Sequence, residues 1–274
     1  MAGIEAAPFQ VRSSKVRSAL PGCKVRTRTG CHPSSAGDGG STGELVQPFP
    51  AYSKLDLSLE KLKNQVRGSC EKAYSYVLTT VFFNESGENL QQTGSGPNFQ
   101  GGCLTLCTCK GQMRSGLRPP PTNWKGVWVA GFASRKNCET NWLFYLTQVE
   151  FAYPSQKDLW ERLPSDMKLP DVWAKKSSRH NRLGDLYEPK YPRTNSFEPN
   201  CYYPPKVGHV HHKTESDDHW RHNIEAEYYN RHPALLVGKP ARTFLWQTPI
   251  ICFKKNHPRT KKWTSVAALL RHLN

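Results

Sequence analysis

The segment Gly94–Gly116, GSGPNFQGGCLTLCTCKGQMRSG, sets glycines, an asparagine and two cations around a short Cys/Thr/Leu run. Glycines allow close approach of backbone to a ligand. Exposed N–H groups backed by Lys110 and Arg114 suit phosphate. Asn98 would offer a base or sugar a polar contact. The P-loop pattern GxxxxGK[ST] is absent, and the same glycines also suit a turn-rich connection that only satisfies backbone angles. Cys103, Cys107 and Cys109 follow in the same run. On a strand, a period of two would put all three thiols on one face. Such a face could hold zinc or a reactive thiolate, with Cys107 or Cys109 as nucleophile. The spacing is CxC, with no second pair, which excludes a zinc ribbon. The commoner fate of free cysteine is burial as a small apolar side chain.

A second concentration of chemistry is HVHHKTESDDHWRH (209–222). His209, His211, Asp217 and His219 are candidate ligands for a divalent metal, although no HExxH or other strict template is met. A histidine-rich surface loop is the plain alternative. Asp185, in RLGDLYEP, stands beside Arg182 and Tyr187. An aspartate in a glycine turn usually caps backbone, but it could also hold a cation or a base edge. Glu85, Glu139 and Glu150 show no pairing that signals acid–base catalysis. Of the aromatics near cations, Trp128, Trp142 and Trp246 suit the core, whereas Trp124, Tyr202 and Tyr203 suit exposed stacking on bases.

The charge balance gives these residues a class of partner. Lys and Arg number 38 against 22 Asp and Glu, for a net charge of +16 over 274 residues. Such a balance attracts polyanions through long-range Coulomb forces and counterion release, with nucleic acid or a nucleotide the first expectation and an anionic membrane the second. No acidic residue lies between Asn89 and Cys138, and none follows Glu227. Two acid-free segments can fold into one positive face. Nine scattered cysteines, no apolar leader and no run of 18 apolar residues point to a reducing, cytoplasmic setting without a membrane span. The Arg/Ser-rich, acid-poor start also resembles an organelle transit peptide.

These side chains need elements to position them. Residues 1–50 read as a disordered basic extension, with SSAGDGGSTGE (34–44) as flexible linker. Residues 51–274 read as one α+β domain: a mixed, mostly antiparallel sheet with a few flanking helices and long loops. Leu55–Lys72 has a loose apolar helical face. YSYVLTTVFF (74–83), CLTLCTC (103–109), KGVWVAGFAS (125–134), NWLFYLTQVEF (141–151), ALLVG (234–238) and TFLWQTPIICF (243–253) read as strands. SQKDLWERLP (155–164) and SVAALLRHL (265–273) read as helices. The loop 84–102 is long for a compact domain, and 165–232 reads as an ordered, loop-rich insertion.

Taken together, these blocks resemble the nucleotide-modification-associated domains of bacteria and phages. Gly96-Pro97-Asn98, Leu104-Thr105-Leu106, Cys109-Lys110 and Arg114 stand where that family has its first block. Lys125–Gly131, then Arg182, Gly184, Asp185 and Tyr187, and then LLVGKPARTF (235–244) resemble later blocks. Gly111 stands where the family has proline, and the aspartate of its Gly-Asp-Trp turn is missing. The resemblance spans roughly residues 74–253. It implies a component of a nucleotide or DNA-base modification system that binds a nucleotide or modified base through the 94–116 loop. On that reading Lys110, Arg114 and Arg182 hold phosphate, and Asn98 and Asp185 face the base or sugar. Two other classes remain open. One is a transferase or hydrolase acting on a nucleobase through a metal or a cysteine, with Cys107, Cys109 and Asp185 as the candidate catalytic residues. The other is a non-catalytic reader of a modified base.

Overall fold

In the computed structural model, residues 46–50, 54–168, 175–176, 184–191, 195–205, 219–225 and 233–274 are described. They belong to one compact unit, Gly43–Asn274. In chain order the elements are β1 (Lys54–Leu55), α1 (Leu59–Gln65), β2 (Ala73–Leu78), β3 (Val81–Phe83), β4 (Leu90–Gln92) and β5 (Thr105–Leu106). Next come α2 (Gly111–Arg114), β6 (Trp128–Ala133), α3 (Arg135–Cys138), β7 (Leu143–Tyr153) and α4 (Gln156–Met167). The last three are β8 (Leu235–Leu245), β9 (Thr260–Trp263) and α5 (Val266–Leu270).

Seven strands form a mixed sheet in the order β1-β8-β7-β6-β2-β9, with β5 also on β8. Only β1/β8 and β2/β6 are parallel. The pairs β2/β9, β5/β8, β6/β7 and β7/β8 are antiparallel, so the expected α+β class with a mostly antiparallel sheet holds. A separate hairpin pairs β3 with β4. No helix among the described residues is long and apolar enough to cross a membrane.

Both faces of the sheet are covered, and strand alternation decides what covers each. Trp128, Ala130 and Phe132 join Leu62 and Val66 of the α1 region and Val266, Leu269 and Leu270 of α5 in one core. Val129 and Ala133, of the opposite parity, join Tyr74, Tyr76 and Tyr145 in the other. That second face is roofed largely by the 94–116 segment, whose Phe99, Leu104 and Met113, the last in the one-turn helix α2, pack onto it. The helix α5 starts where its sequence says, with Ser265 Oγ accepting the Ala268 N–H at 3.1 Å.

Several local expectations shift. The packed chain reaches back before residue 51: Val46 bridges to Thr93, and Gln47 is fully buried. The rest of the expected extension, residues 1–45, lies outside the described residues. The predicted strand 74–83 divides, since β2 enters the large sheet and β3 the hairpin. The 103–109 strand shrinks to Thr105–Leu106. Cys103 and Cys107 pack together with Tyr153 and Leu159, while Cys109 packs into the core around Tyr76. The three thiols therefore do not share one face. The chain leaves the sheet after Leu106, and Lys110 takes a left-handed backbone with φ 59°.

A buried lysine and an orphan carboxylate under the glycine loop

The floor of the candidate site is a row across three strands. Tyr76 on β2 pairs with Gly131 on β6, which pairs with Tyr145 on β7. A Cβ on Gly131 would stand 2.3 Å from the Tyr145 ring. The missing side chain lets that ring lie across the strand and donate its hydroxyl to Tyr76 Oη at 2.8 Å. Burial pushes both phenols up, so both stay neutral donors and acceptors.

The loop above is tied down from within the domain. Gln47 Nε2 donates to the carbonyls of Gly94 at 2.7 Å and Pro97 at 3.0 Å, and its Oε1 accepts the Phe99 N–H at 3.2 Å. Gln92 Nε2 adds a 2.8 Å bond to Pro97 O. Asn98 and Thr105 exchange backbone bonds of 2.9 and 2.7 Å. Gly96 is required by contact: a Cβ there would sit 2.1 Å from Cys109 Sγ. The amides of Asn98, Phe99 and Gln100 are all spent on acceptors within the protein, so these three cannot cradle an anion.

Into this loop comes a residue that sequence reasoning did not single out. Lys175 is 2 % exposed, and its Nζ donates to Asn98 O at 2.8 Å, Asn98 Oδ1 at 2.5 Å and Thr105 Oγ1 at 2.9 Å. Three acceptors around one nitrogen use all three ammonium hydrogens. Burial pulls the Lys175 amine down, and Asp185 acts most strongly in the other direction. Asp185, 1 % exposed, has no hydrogen-bond partner on either carboxylate oxygen, and it makes no ion pair with Lys175. Burial raises its pKa, tempered first by Lys175 and then by the Thr105 hydroxyl and Cys107 thiol, which face it short of bonding geometry. Its backbone is fixed by Gln156 in the first turn of α4. There Gln156 Nε2 donates to Asp185 O at 3.2 Å and its Oε1 accepts the Tyr187 N–H at 3.2 Å.

The predicted phosphate ligands fare differently. Arg114 is buried and bonds backbone carbonyls, with Nε to Cys109 O at 2.8 Å and Nη1 to Ala234 O at 2.8 Å. It braces the loop against the start of β8, a different use from the phosphate contact expected. Asn98 likewise holds Lys175. Lys110 keeps part of its surface, with Nζ 5.2 Å from the centre of the Tyr76 ring. Burial, followed by the nearby Arg259 charge, lowers its pKa. Arg182, His209, His211 and Asp217 lie outside the described residues, as does the side chain of His219. Among the described residues no three His, Cys, Asp or Glu side chains converge as a metal would need.

The thiols do not form an activated nucleophile. Burial pushes Cys103 and Cys109 up to about 11 and raises Cys107 well above the ordinary thiol value, the reverse of what a reactive thiolate requires. Trp124 and Tyr202, expected to stack on bases, are buried instead. Trp124 Nε1 donates to Arg114 O at 3.1 Å, and Tyr202 Oη donates to Ser196 O at 2.7 Å. Tyr203 does lie at the surface, beneath Lys190.

No family model, curated protein or solved structure matches this chain.

Proposed function

We propose that the chain is a component of a nucleotide or nucleic-acid-base modification system and binds a nucleotide or modified base on its loop-covered face. The observation that carries this reading is Asp185. It is a buried carboxylate with two unused acceptor oxygens, beside a lysine whose three hydrogens are already committed. A buried acceptor without a donor costs about 1–3 kcal/mol, and more when charged. A ligand that brings N–H groups would offset that cost. Nucleobase edges present such donors, and pockets that read an extruded base do so through hydrogen bonds to that edge. The basic balance of the chain and the resemblance of its blocks to nucleotide-modification-associated domains support the same class.

A catalytic version is favoured only through this same residue. A carboxyl raised by burial is suited to proton transfer, whereas Cys107 and Cys109 are held as thiols. Calorimetric titration of the full chain with nucleosides, nucleotides and their base-modified forms tests the reading. At least one should bind, and Asp185→Asn should weaken it tenfold or more, by about 1.4 kcal/mol. Absence of binding across the panel at millimolar ligand refutes it.

A further inference from the structure

The two acid-free segments of the sequence do meet. Arg135 at the start of α3 donates through Nη1 to Asn256 Oδ1, in the turn before β9. Lys110 Nζ lies 5.2 Å from the centre of the Tyr76 ring, and Tyr76 pairs with Thr260, the residue after Arg259. Beyond them, the His272 pKa is lowered first by desolvation and then by the charges of Lys261, Lys254, Arg271 and Lys255. Lys254 Nζ donates to Arg271 O at 3.0 Å, and Lys261 Nζ sits 4.0 Å from the Trp263 ring centre. Lys110 and Arg135 of the first segment thus meet Arg259, Lys261 and Lys262 of the second at β9, the last strand of the sheet. One lysine suffices to discourage strand addition at an edge, so that role leaves the rest of the charge unexplained.

We infer that the β9 edge, with Lys110, Lys254, Lys255, Arg259, Lys261 and Arg271, is a track for the phosphate backbone of a nucleic acid. The substrate of the loop face is then a base within a polynucleotide and not a free nucleotide. The identity of the base rests on the reading of Asp185 given above; the track rests on charge placement alone. Like charges crowded without acids raise the local potential, and a polyanion relieves it by displacing counterions. The chemistry of the patch favours nucleic acid over a lipid surface. The large apolar residues here, Phe253, Trp263 and Leu273, are buried, and a membrane-docking surface needs apolar groups to insert. Lys110 joins the track to the loop face, because its Nζ lies over the Tyr76 ring on the floor of the site.

The test is fluorescence anisotropy of the full chain with a labelled single-stranded oligonucleotide of about 20 nucleotides, from about 50 to 200 mM salt. The variant K254A/K255A/R259A/R271A removes four exposed charges. The control K157A/R162A/K168A/K239A removes four cations on α4, its C-terminal end and β8, which lie away from β9 in the strand order, and changes net charge equally. At about 0.7–0.9 per lost contact, the slope of log K against log salt should flatten by roughly 3 in the first variant. Over that fourfold salt range the wild type should then lose about 50- to 150-fold more affinity than the variant. The control should keep the wild-type slope. Equal flattening in both variants would reduce the effect to net charge and overturn the track. Stronger binding to vesicles containing phosphatidylserine than to the oligonucleotide would also overturn it, in favour of a lipid surface. Asp185→Asn should change base preference without changing the slope, so failure of the pocket and failure of the track give different results.

Discussion

Lys175→Met isolates the electrostatics of the loop face. The lost bonds are charge-assisted, each worth about 1.5–3 kcal/mol before the cost of burying the ammonium. Methionine strands none of the three acceptors completely. Asn98 O still accepts the Thr105 N–H at 2.7 Å, Asn98 Oδ1 still accepts Gln100 N–H at 3.0 Å, and Thr105 Oγ1 still donates to Asn98 O at 3.3 Å. The loss falls instead on Asp185, whose strongest favourable charge is Lys175. The two make no direct ion pair, so the loss is that of a buried polar group left without compensation, about 1–3 kcal/mol, or roughly 2–12 °C in Tm for a domain of this size. The sign with pH follows from the raised Asp185 pKa. Its neutral form is the better tolerated, so its stability contribution is present below the unfolded value of about 3.9 and lost as pH rises through the folded value. Without Lys175 that folded value climbs further and the window widens upward. Urea denaturation should therefore show Lys175→Met losing most at pH 8 and least near pH 4. The double variant Lys175→Met/Asp185→Asn should recover about 2 kcal/mol relative to the sum of the singles. A pH-independent loss, or additivity of the two singles within about 0.5 kcal/mol, would refute a coupled lysine–carboxylate site.

Two further outcomes follow from packing and titration. Gly96→Ala forces a Cβ to within 2.1 Å of Cys109 Sγ, so it should cost about 1–3 kcal/mol or more by thermal melting. Adding Cys109→Ala leaves Thr108 Oγ1 at 3.4 Å and Cys109 Cβ at 3.5 Å, ordinary contacts, and should restore most of the loss; a double variant as unstable as the single would place the strain elsewhere. His257 is lowered to about 4 by burial, with Nδ1 on Pro258 O and Nε2 2.7 Å from Ser75 Oγ, which takes the Trp263 indole N–H at 2.7 Å. Its stability contribution is present above about pH 6.5 and lost as pH falls toward 4, on the order of 3 kcal/mol. The wild-type minus His257→Phe stability difference, from denaturant curves, should shrink through that interval, and a flat difference would contradict a neutral buried imidazole.

The sheet was legible where local pattern and tertiary role agree. Trp128–Ala133 and Leu143–Tyr153 read as strands because β-branched and aromatic residues suit a surface covered on both sides. β8 was seen only as two pieces, since Lys239-Pro240-Ala241-Arg242 has turn composition. The register explains this: Gly238 pairs with Val149 and Thr243 with Thr147, so the residues between bulge out of the β7 ladder, where proline needs no hydrogen bond. β9 was missed because Thr260-Lys261-Lys262-Trp263 has one apolar residue and earns its place through register with β2.

The candidate site was legible in its residues and not in their roles. Asn98, Arg114 and Asp185 were singled out for ligand contact, and all three are buried. Two of them turn inward to hold protein groups. Lys175 gave no signal, because a lysine in WAKKSS looks solvated until its acceptors arrive from Asn98 and Thr105, 70 and more residues away in the chain. What distinguishes Asp185 from these neighbours is that folding leaves it without a donor. Arg114 and Asn98 would lose bonds by turning to a ligand, and the fold would pay for it. Asp185 would only gain them. A ligand can therefore draw binding energy from Asp185 without unmaking the loop that surrounds it, which is why the functional reading rests on this carboxylate and not on the more conspicuous cations and thiols of the glycine-rich segment.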